Sequence, residues 1–288
     1  MSGGVAELQG DERNAMTIAE TTQELNPRVA AVFTGLIDEL ARLIREQRIT
    51  FEEYRQIVGF LDEMGRQGEV PLFLDVFVSV TVDDTNYASN GGTESNVEGP
   101  FYIPGAPLLQ QPCELPRRDK EPGDVLFLSG VVRSTNGTAL AYAMLDMWQA
   151  DAEGKYSHFD PGLPEYNLRG RFKTDAEGRF EVRTTAPSAY EIPKAGPTGR
   201  YLAALGRHAF RPAHFHVKLS HPDHEPLTTQ IYFDGDPLLD SDVVGAVKQS
   251  LVVKVDRHEA EDDLAKKGLS IPYYTCSYDF ILQPRVNR

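Results

Sequence analysis

Two histidines one residue apart, His214 and His216, are the residues whose type and spacing most directly suggest chemistry. Their segment alternates as a strand does, with His214, His216 and Lys218 on one face and Phe215, Val217 and Leu219 on the other. The apolar face belongs in a core, so the histidines are aimed together into a different, polar space. Arg211, three residues before His214, puts a fixed cation beside them, and Pro212 sets the approach. A guanidinium there suits an anionic ligand or intermediate. A metal site needs more than two ligands, and Cys, Asp and Glu are poorly placed nearby. Tyrosine is a further candidate donor: Tyr156 ends the strand-turn run 145–155, and Tyr190 sits in the loop 186–193. Taken alone, a tyrosine in a β protein is usually a half-buried packing residue with its hydroxyl at the surface.

The elements that must position these groups change character along the chain. Residues 1–25 lack apolar periodicity and form an N-terminal arm. A helix begins at Asn26, a capping residue, with Pro27 in its first position and Val29, Val32, Phe33, Leu36, Ile37, Leu40, Leu43 and Ile44 as one apolar stripe. Thr50 and Glu53 make a capping box for a second helix that runs to Gly68. A third, more apolar segment opens at Pro71 and carries Asp75 among Leu72, Phe73, Val76 and Phe77. That aspartate is either a solvated edge residue or a group aimed into a pocket. Residues 90–107, rich in Gly and Pro, close the helical region.

From Gly123 the period becomes two. Seven short runs, at 125–132, 143–149, 179–184, 214–219, 228–233, 251–255 and 274–282, are rich in β-branched or aromatic residues. Turn signals such as Asn136-Gly137 and Asp234-Gly235 separate them. Seven runs without interleaved helices predict a mainly β chain: a β-sandwich over 108–288, preceded by a helical region over 26–107. Residues 243–249 read as a short helix or loop.

Composition narrows the function classes. With 43 acidic against 29 basic residues, the net charge of −14 over 288 residues repels nucleic acid and acidic lipid heads, which favours a small-molecule ligand. Cys113 and Cys276 are too few for a disulfide scaffold or thiolate cluster and are expected as free thiols. No apolar run reaches the roughly 18–20 residues of a membrane span. The first 25 residues have neither a basic start nor an apolar middle, which points to a cytoplasmic protein.

Several blocks together resemble the intradiol ring-cleaving dioxygenases. The run Leu128-Ser129-Gly130-Val131-Val132, then Gly137, Leu140, Leu145-Asp146-Met147 and Gly154-Lys155-Tyr156, follows that family's signature. Gly206-Arg207-His208, Arg211-Pro212-Ala213-His214-Phe215-His216 and Thr228-Thr229-Gln230 follow its second half, and the likeness covers roughly residues 26–284. The resemblance implies one non-haem Fe(III) per subunit, held by Tyr156, Tyr190, His214 and His216, with Tyr190 the ligand that substrate displaces. It implies a 1,2-dihydroxybenzene and O2 as substrates, Arg211 as the cation that steadies charge on the ring, and Gln230 as a polar group beside it. It also implies a homodimer formed through the N-terminal helices and, as in several relatives, a phospholipid in the helical domain.

Within the family, Tyr190 to Gly199 and Asp240-Ser241-Asp242-Val243-Val244 look more like hydroxyquinol 1,2-dioxygenases than catechol 1,2-dioxygenases. By the same likeness Leu72, Asp75, Val97, Gly99, Pro100, Phe101, Ile192, Pro193, Arg211 and Val244 would line the substrate pocket, with Asp75 accepting a bond from a third ring hydroxyl. Two rivals are a zinc hydrolase built on His214, His216 and Asp75, and a β-sandwich that only binds. Purified protein separates them: phenolate bound to Fe(III) is red-brown, zinc is colourless, and a binding module consumes no O2.

Overall fold

The computed structural model describes residues 26–87 and 91–285, so the expected N-terminal arm lies outside the described residues. The chain divides into two compact units between Gly59 and Phe60.

In the first unit, α1 (Pro27–Gln47) starts where its cap requires: Asn26 Oδ1 accepts from the Arg28 N–H at 2.9 Å. Helix α2 (Phe51–Gln67) begins on the capping box, Glu53 Oε2 accepting from Thr50 N–H at 2.7 Å and Thr50 Oγ1 from Glu53 N–H at 3.3 Å. The α1 stripe Val29, Val32, Phe33, Leu36, Ile37, Leu40, Leu43 and Ile44 is exposed throughout.

The second unit takes the end of α2, α3 (Val70–Phe77), α4 (Ser79–Asn86) and all the strands. The helical region expected over 26–107 is therefore split. Helix α3 belongs with the strands because of what it touches there: Phe73 and Phe77 pack on Tyr201, with ring centroids 5.6 and 5.3 Å apart, and Val76 is buried.

Strands β1 (Cys113–Glu114), β2 (Val125–Ser134), β3 (Met144–Gln149), β4 (Arg169–Lys173), β5 (Arg179–Thr185) and β6 (Tyr190–Glu191) precede α5 (Pro197–Ala204). Strands β7 (Phe210–Arg211), β8 (His214–Ser220), β9 (Leu227–Phe233), β10 (Val252–Val253) and β11 (Asp256–His258) follow it, then α6 (Glu261–Lys267), β12 (Tyr273–Ser277) and β13 (Phe280–Leu282). One sheet runs β1-β5-β2-β12-β11, with β13 also on β2; the other runs β10-β9-β8-β3-β4. Leu126, Leu128, Val182 and Phe280 of the first sheet meet Leu145, Phe172, Phe215, Val217 and Ile231 of the second in one buried cluster. The sandwich is that core.

Three sequence expectations need correction. Strand β4 went unread, because Arg-Gly-Arg-Phe-Lys carries too little apolar pattern, although Arg169, Gly170 and Phe172 are buried. Helices α5 and α6 do interleave with strands. The run 274–282 breaks into β12 and β13 where Tyr278 crosses β2: a Cβ on Gly130 would lie 1.9 Å from the Tyr278 carbonyl oxygen, so only glycine fits there.

Candidate active site

The two faces of β8 serve different ends. Phe215, Val217 and Leu219 fill the inter-sheet core, while His214 and His216 are 2% and 1% exposed on the opposite face. The space they enter is thus dry rather than open to water. A second buried cluster, including Val76, Trp148, Tyr156, Tyr190, Ile192 and Val243, covers that face.

Pairing in the sheet brings the polar groups to the histidines. Across β8 and β9, His216 stands opposite Gln230 and His214 opposite Tyr232. Across β3, His216 stands opposite Trp148, whose ring stacks on it at 4.6 Å and 8°. Strands β6 and β7 form their own two-stranded ladder, which sets Tyr190 opposite Arg211.

Tyr156 comes from a turn that Asp151 shapes. Its Oδ1 accepts from the N–H groups of Glu153 and Lys155 at 2.8 and 2.9 Å. Gly154, at φ 78°, meets Tyr190 there: an added Cβ would come within 3.1 Å of the Tyr190 Cβ. Four rings then close on one point, with centroid separations of 5.2 Å for Tyr156 and Tyr190, 5.6 Å for Tyr190 and His214, 4.5 Å for His214 and His216, and 6.4 Å for His216 and Tyr156.

Electrostatics keeps both imidazoles neutral. Burial, with Arg211 adding, pushes the His214 pKa down to about 3, and burial with His214 beside it holds His216 well below its ordinary value. His214 Nδ1 lies 2.7 Å from the Pro212 carbonyl oxygen, so that nitrogen donates and Nε2 keeps its lone pair. Both tyrosines are raised, chiefly by burial; Tyr156 Oη has Tyr190 as its polar neighbour but no partner at hydrogen-bond geometry among the described residues.

This donor set fits a metal ion. The Nε2 atoms of His214 and His216 are 2.9 Å apart. Two imidazole nitrogens bound at a right angle to one ion, each at about 2.0–2.1 Å, would stand about 2.9 Å apart. Among the described residues no group of three His, Cys, Asp or Glu side chains is placed for a metal, so the phenols are the donors that remain.

Arg211 is locked beside this point. Its Nε and Nη2 donate to Asp242 Oδ1 and Oδ2 at 3.0 and 3.1 Å, and Nη2 also to Gln230 Oε1 at 2.9 Å and Tyr232 Oη at 3.0 Å. Nη1 faces His214 Nε2 at 3.3 Å. Gln230 Nε2 donates to the Val97 carbonyl at 2.6 Å, which fixes the amide. Burial works against the Arg211 charge, but Tyr232, Asp242 and Tyr190 outweigh it and raise its pKa further.

A cavity of about 800 Å³ opens on Tyr190 and Arg211. Leu72, Asp75, Val97, Gly99, Pro100, Ile192 and Val244 line it, together with Leu74, Val78, Val82, Glu98 and Lys218, which the sequence did not assign to the pocket lining. Phe101 and Pro193, expected there, stand elsewhere. The Phe101 ring lies flat on Tyr156 at 4.5 Å, and Pro193 is exposed just past Ile192, which points inward. Sequence reasoning also missed Trp148, Arg169 and Tyr232 as neighbours of the site, and the pairing of Asp242 with Arg211. Of these, Trp148, Tyr232 and Asp242 lay in segments already marked, and Arg169 did not.

Comparison with known proteins bears on this arrangement. Residues 97–284 match the family described as Dioxygenase, and residues 26–94 match Catechol dioxygenase N terminus. The chain belongs to the intradiol ring-cleaving dioxygenase family. The dioxygenase is 41% identical over 261 residues to a chlorocatechol 1,2-dioxygenase of Rhodococcus opacus, covering 90% of this chain and 98% of that one. The solved 3-chlorocatechol 1,2-dioxygenase of Rhodococcus opacus superposes with a TM-score of 0.83 at 42% identity, over 90% of this chain and 99% of that one. The solved hydroxyquinol 1,2-dioxygenase of Pseudomonas putida gives 0.83 at 35% identity, over 91% and 94%. The dioxygenase has no helix among its described residues long and apolar enough to cross a membrane.

Proposed function

We propose that this dioxygenase opens hydroxyquinol (benzene-1,2,4-triol) between its adjacent hydroxyl-bearing carbons, both atoms of O2 entering a 3-hydroxymuconate, the tautomer of maleylacetate. Tyr156, Tyr190, His214 and His216 would hold one Fe(III). When bound, the ferric ion supplies a hard Lewis acid for the ring oxygens and makes the ring reactive toward O2. The neutral histidines offer lone pairs without a proton to shed. Tyr190 lines the cavity and Tyr156 does not, so Tyr190 is the phenol that substrate would meet, and its oxygen would take up a substrate proton. Arg211, immobilised by Asp242, Gln230 and Tyr232, presents Nη1 to negative charge on the bound ring without having to reorganise. Leu72, Ile192 and Val244 give the ring an apolar wall.

The hydroxyquinol reading rests on Asp75. Its carboxyl lines the cavity, burial alone raises its pKa, and no hydrogen bond offsets that burial. A third ring hydroxyl would provide one, and a site built for such a bond discriminates against a ring that lacks it. Oxygen uptake with hydroxyquinol, catechol and 4-chlorocatechol tests this on the wild type and Asp75→Ala. A hydrogen bond to a charged acceptor contributes about 1.5–3 kcal/mol, so the substitution should lower kcat/KM for hydroxyquinol about ten- to a hundredfold and spare catechol. A wild type that prefers catechol, or a variant that loses both diols equally, ends the hydroxyquinol reading and leaves ring cleavage standing. The second reading is a chlorinated catechol, supported by the Rhodococcus opacus relatives and by the apolar Leu74, Val78 and Val82 along the cavity. It requires 4-chlorocatechol to outrun hydroxyquinol in the wild type.

A homodimer belongs to the same proposal, because the exposed α1 stripe is wider than a solvent-facing helix needs and suits a second copy. A phospholipid tail at that seam is a further part of it, checked by lipid extraction. Sedimentation at micromolar concentration should give twice 32.0 kDa, and a lone 32.0 kDa species would refute the dimer.

A further inference from the structure

Arg169 is 1% exposed, yet all its hydrogen bonds go to neutral oxygens: Nε to Ser157 Oγ at 2.7 Å, Nη1 to the Phe101 carbonyl at 2.6 Å and Nη2 to the Ser157 carbonyl at 3.1 Å. No carboxylate among the described residues comes within 4.0 Å of it. Asp146, whose field reaches it, is engaged instead by the Tyr102 hydroxyl at 3.0 Å. A buried charge without a counter-charge is costly and calls for a reason.

The reason lies on its other side. The guanidinium carbon sits 5.8 Å from the centre of the Tyr156 ring, on which Phe101 also stacks. Tyr156 Oη has the matching deficit, being buried without a partner. A cation lacking its anion thus stands over the ring of a buried phenol whose oxygen has no partner at hydrogen-bond distance among the described residues. Ser157 and Phe101 hold the guanidinium by its fork, so it cannot swing away, and Phe101 at once braces the ring and accepts from Arg169.

We propose that Arg169 is the positioning residue of Tyr156: its uncompensated charge is the standing counter-cation for Tyr156 as an anionic metal ligand, and sets how tightly that ligand keeps Fe(III). This rests on the reading of Tyr156 as a ligand. A cation over the ring stabilises the ring's electrons more than an acceptor beyond the phenol oxygen. It therefore raises the energy needed to move an electron from phenolate to iron.

The test compares wild type, Arg169→Gln and Arg169→Lys, each purified with iron and examined by metal analysis and visible spectroscopy. Arg169→Gln should move the phenolate-to-iron band to longer wavelength and weaken iron retention about ten- to a hundredfold, the usual effect of losing a partner of a metal ligand. Arg169→Lys keeps the charge and should leave the band near its wild-type position. An unmoved band in Arg169→Gln overturns the inference alone. Equal loss of iron in both variants also overturns it, since that marks a purely structural role. A wild type with iron but no such band, or with no iron, removes the ligand reading and this inference with it. Should Arg169→Gln not fold, Ser157→Asp neutralises the guanidinium in place: a shift to longer wavelength supports the inference and an unmoved band ends it.

Discussion

Arg211 and Arg169 are 2% and 1% exposed, and each stands against one of the site tyrosines, but only Arg211 has a carboxylate of its own. Asp242 neutralises Arg211 through two contacts, so Tyr190 opposite it is not needed as a counter-ion. Arg169 has only Ser157 and Phe101 oxygens, so the charge on its side is left for Tyr156 to answer. Under the proposed ligand set, the difference would give the two phenols different fates: a ligand that is also a counter-ion would be held, and one whose cation is already satisfied would be free to exchange. Neutralising a cation elsewhere is as much a part of the arrangement as supplying one.

The largest expected effect breaks the comparison at the metal. Tyr156→Phe, His214→Ala and His216→Ala should each lose iron or its visible band, whereas Tyr190→Phe should retain a measurable share; equal iron content across all four would erase the distinction between the tyrosines. Next comes Asp242→Asn, which turns Arg211 into a second uncompensated cation. Removing one partner of a buried pair costs about 3–5 kcal/mol. The denaturation midpoint should fall accordingly, and by more than in Arg169→Gln, which strands only neutral acceptors. A milder loss in Asp242→Asn than in Arg169→Gln would show that the two sites are not opposites. The smallest effect is at the rim, where Lys218 pairs with Glu98 and both remain partly exposed. Such pairs contribute about 0.2–1 kcal/mol. Lys218→Met should therefore shift the melting midpoint by a few degrees at most, and a loss as large as that of Asp242→Asn would mean that the rim pair is coupled to the buried network.

Much of this molecule is legible in its sequence. The caps at Asn26 and Thr50 act through residues two or three positions away, so sequence spacing contains the whole interaction. The alternation of β8 likewise announces a two-faced strand. Strand β4 was not legible, since its burial comes from what lies on it: a Cβ at Gly170 would come within 2.7 Å of the Leu109 side chain. Helix α5 was also missed, its eight residues being too few to show a full apolar stripe.

By itself, the sequence determined the order of helices before strands, the separation of His214 and His216 from the core residues between them, and the family. These depend on period, composition and blocks of neighbouring residues, which survive when the chain is read as a line. Only the tertiary structure decided that Asp242 neutralises Arg211, that Phe101 braces Tyr156 and does not line the cavity, and that Arg169 stands buried with no carboxylate of the described residues within 4.0 Å. In each case the partners come from separate elements, 31 positions apart for Arg211 and Asp242 and 68 for Arg169 and Phe101. Whether a charge is satisfied depends on the few ångströms around it, and those are filled by residues that chain order does not bring together.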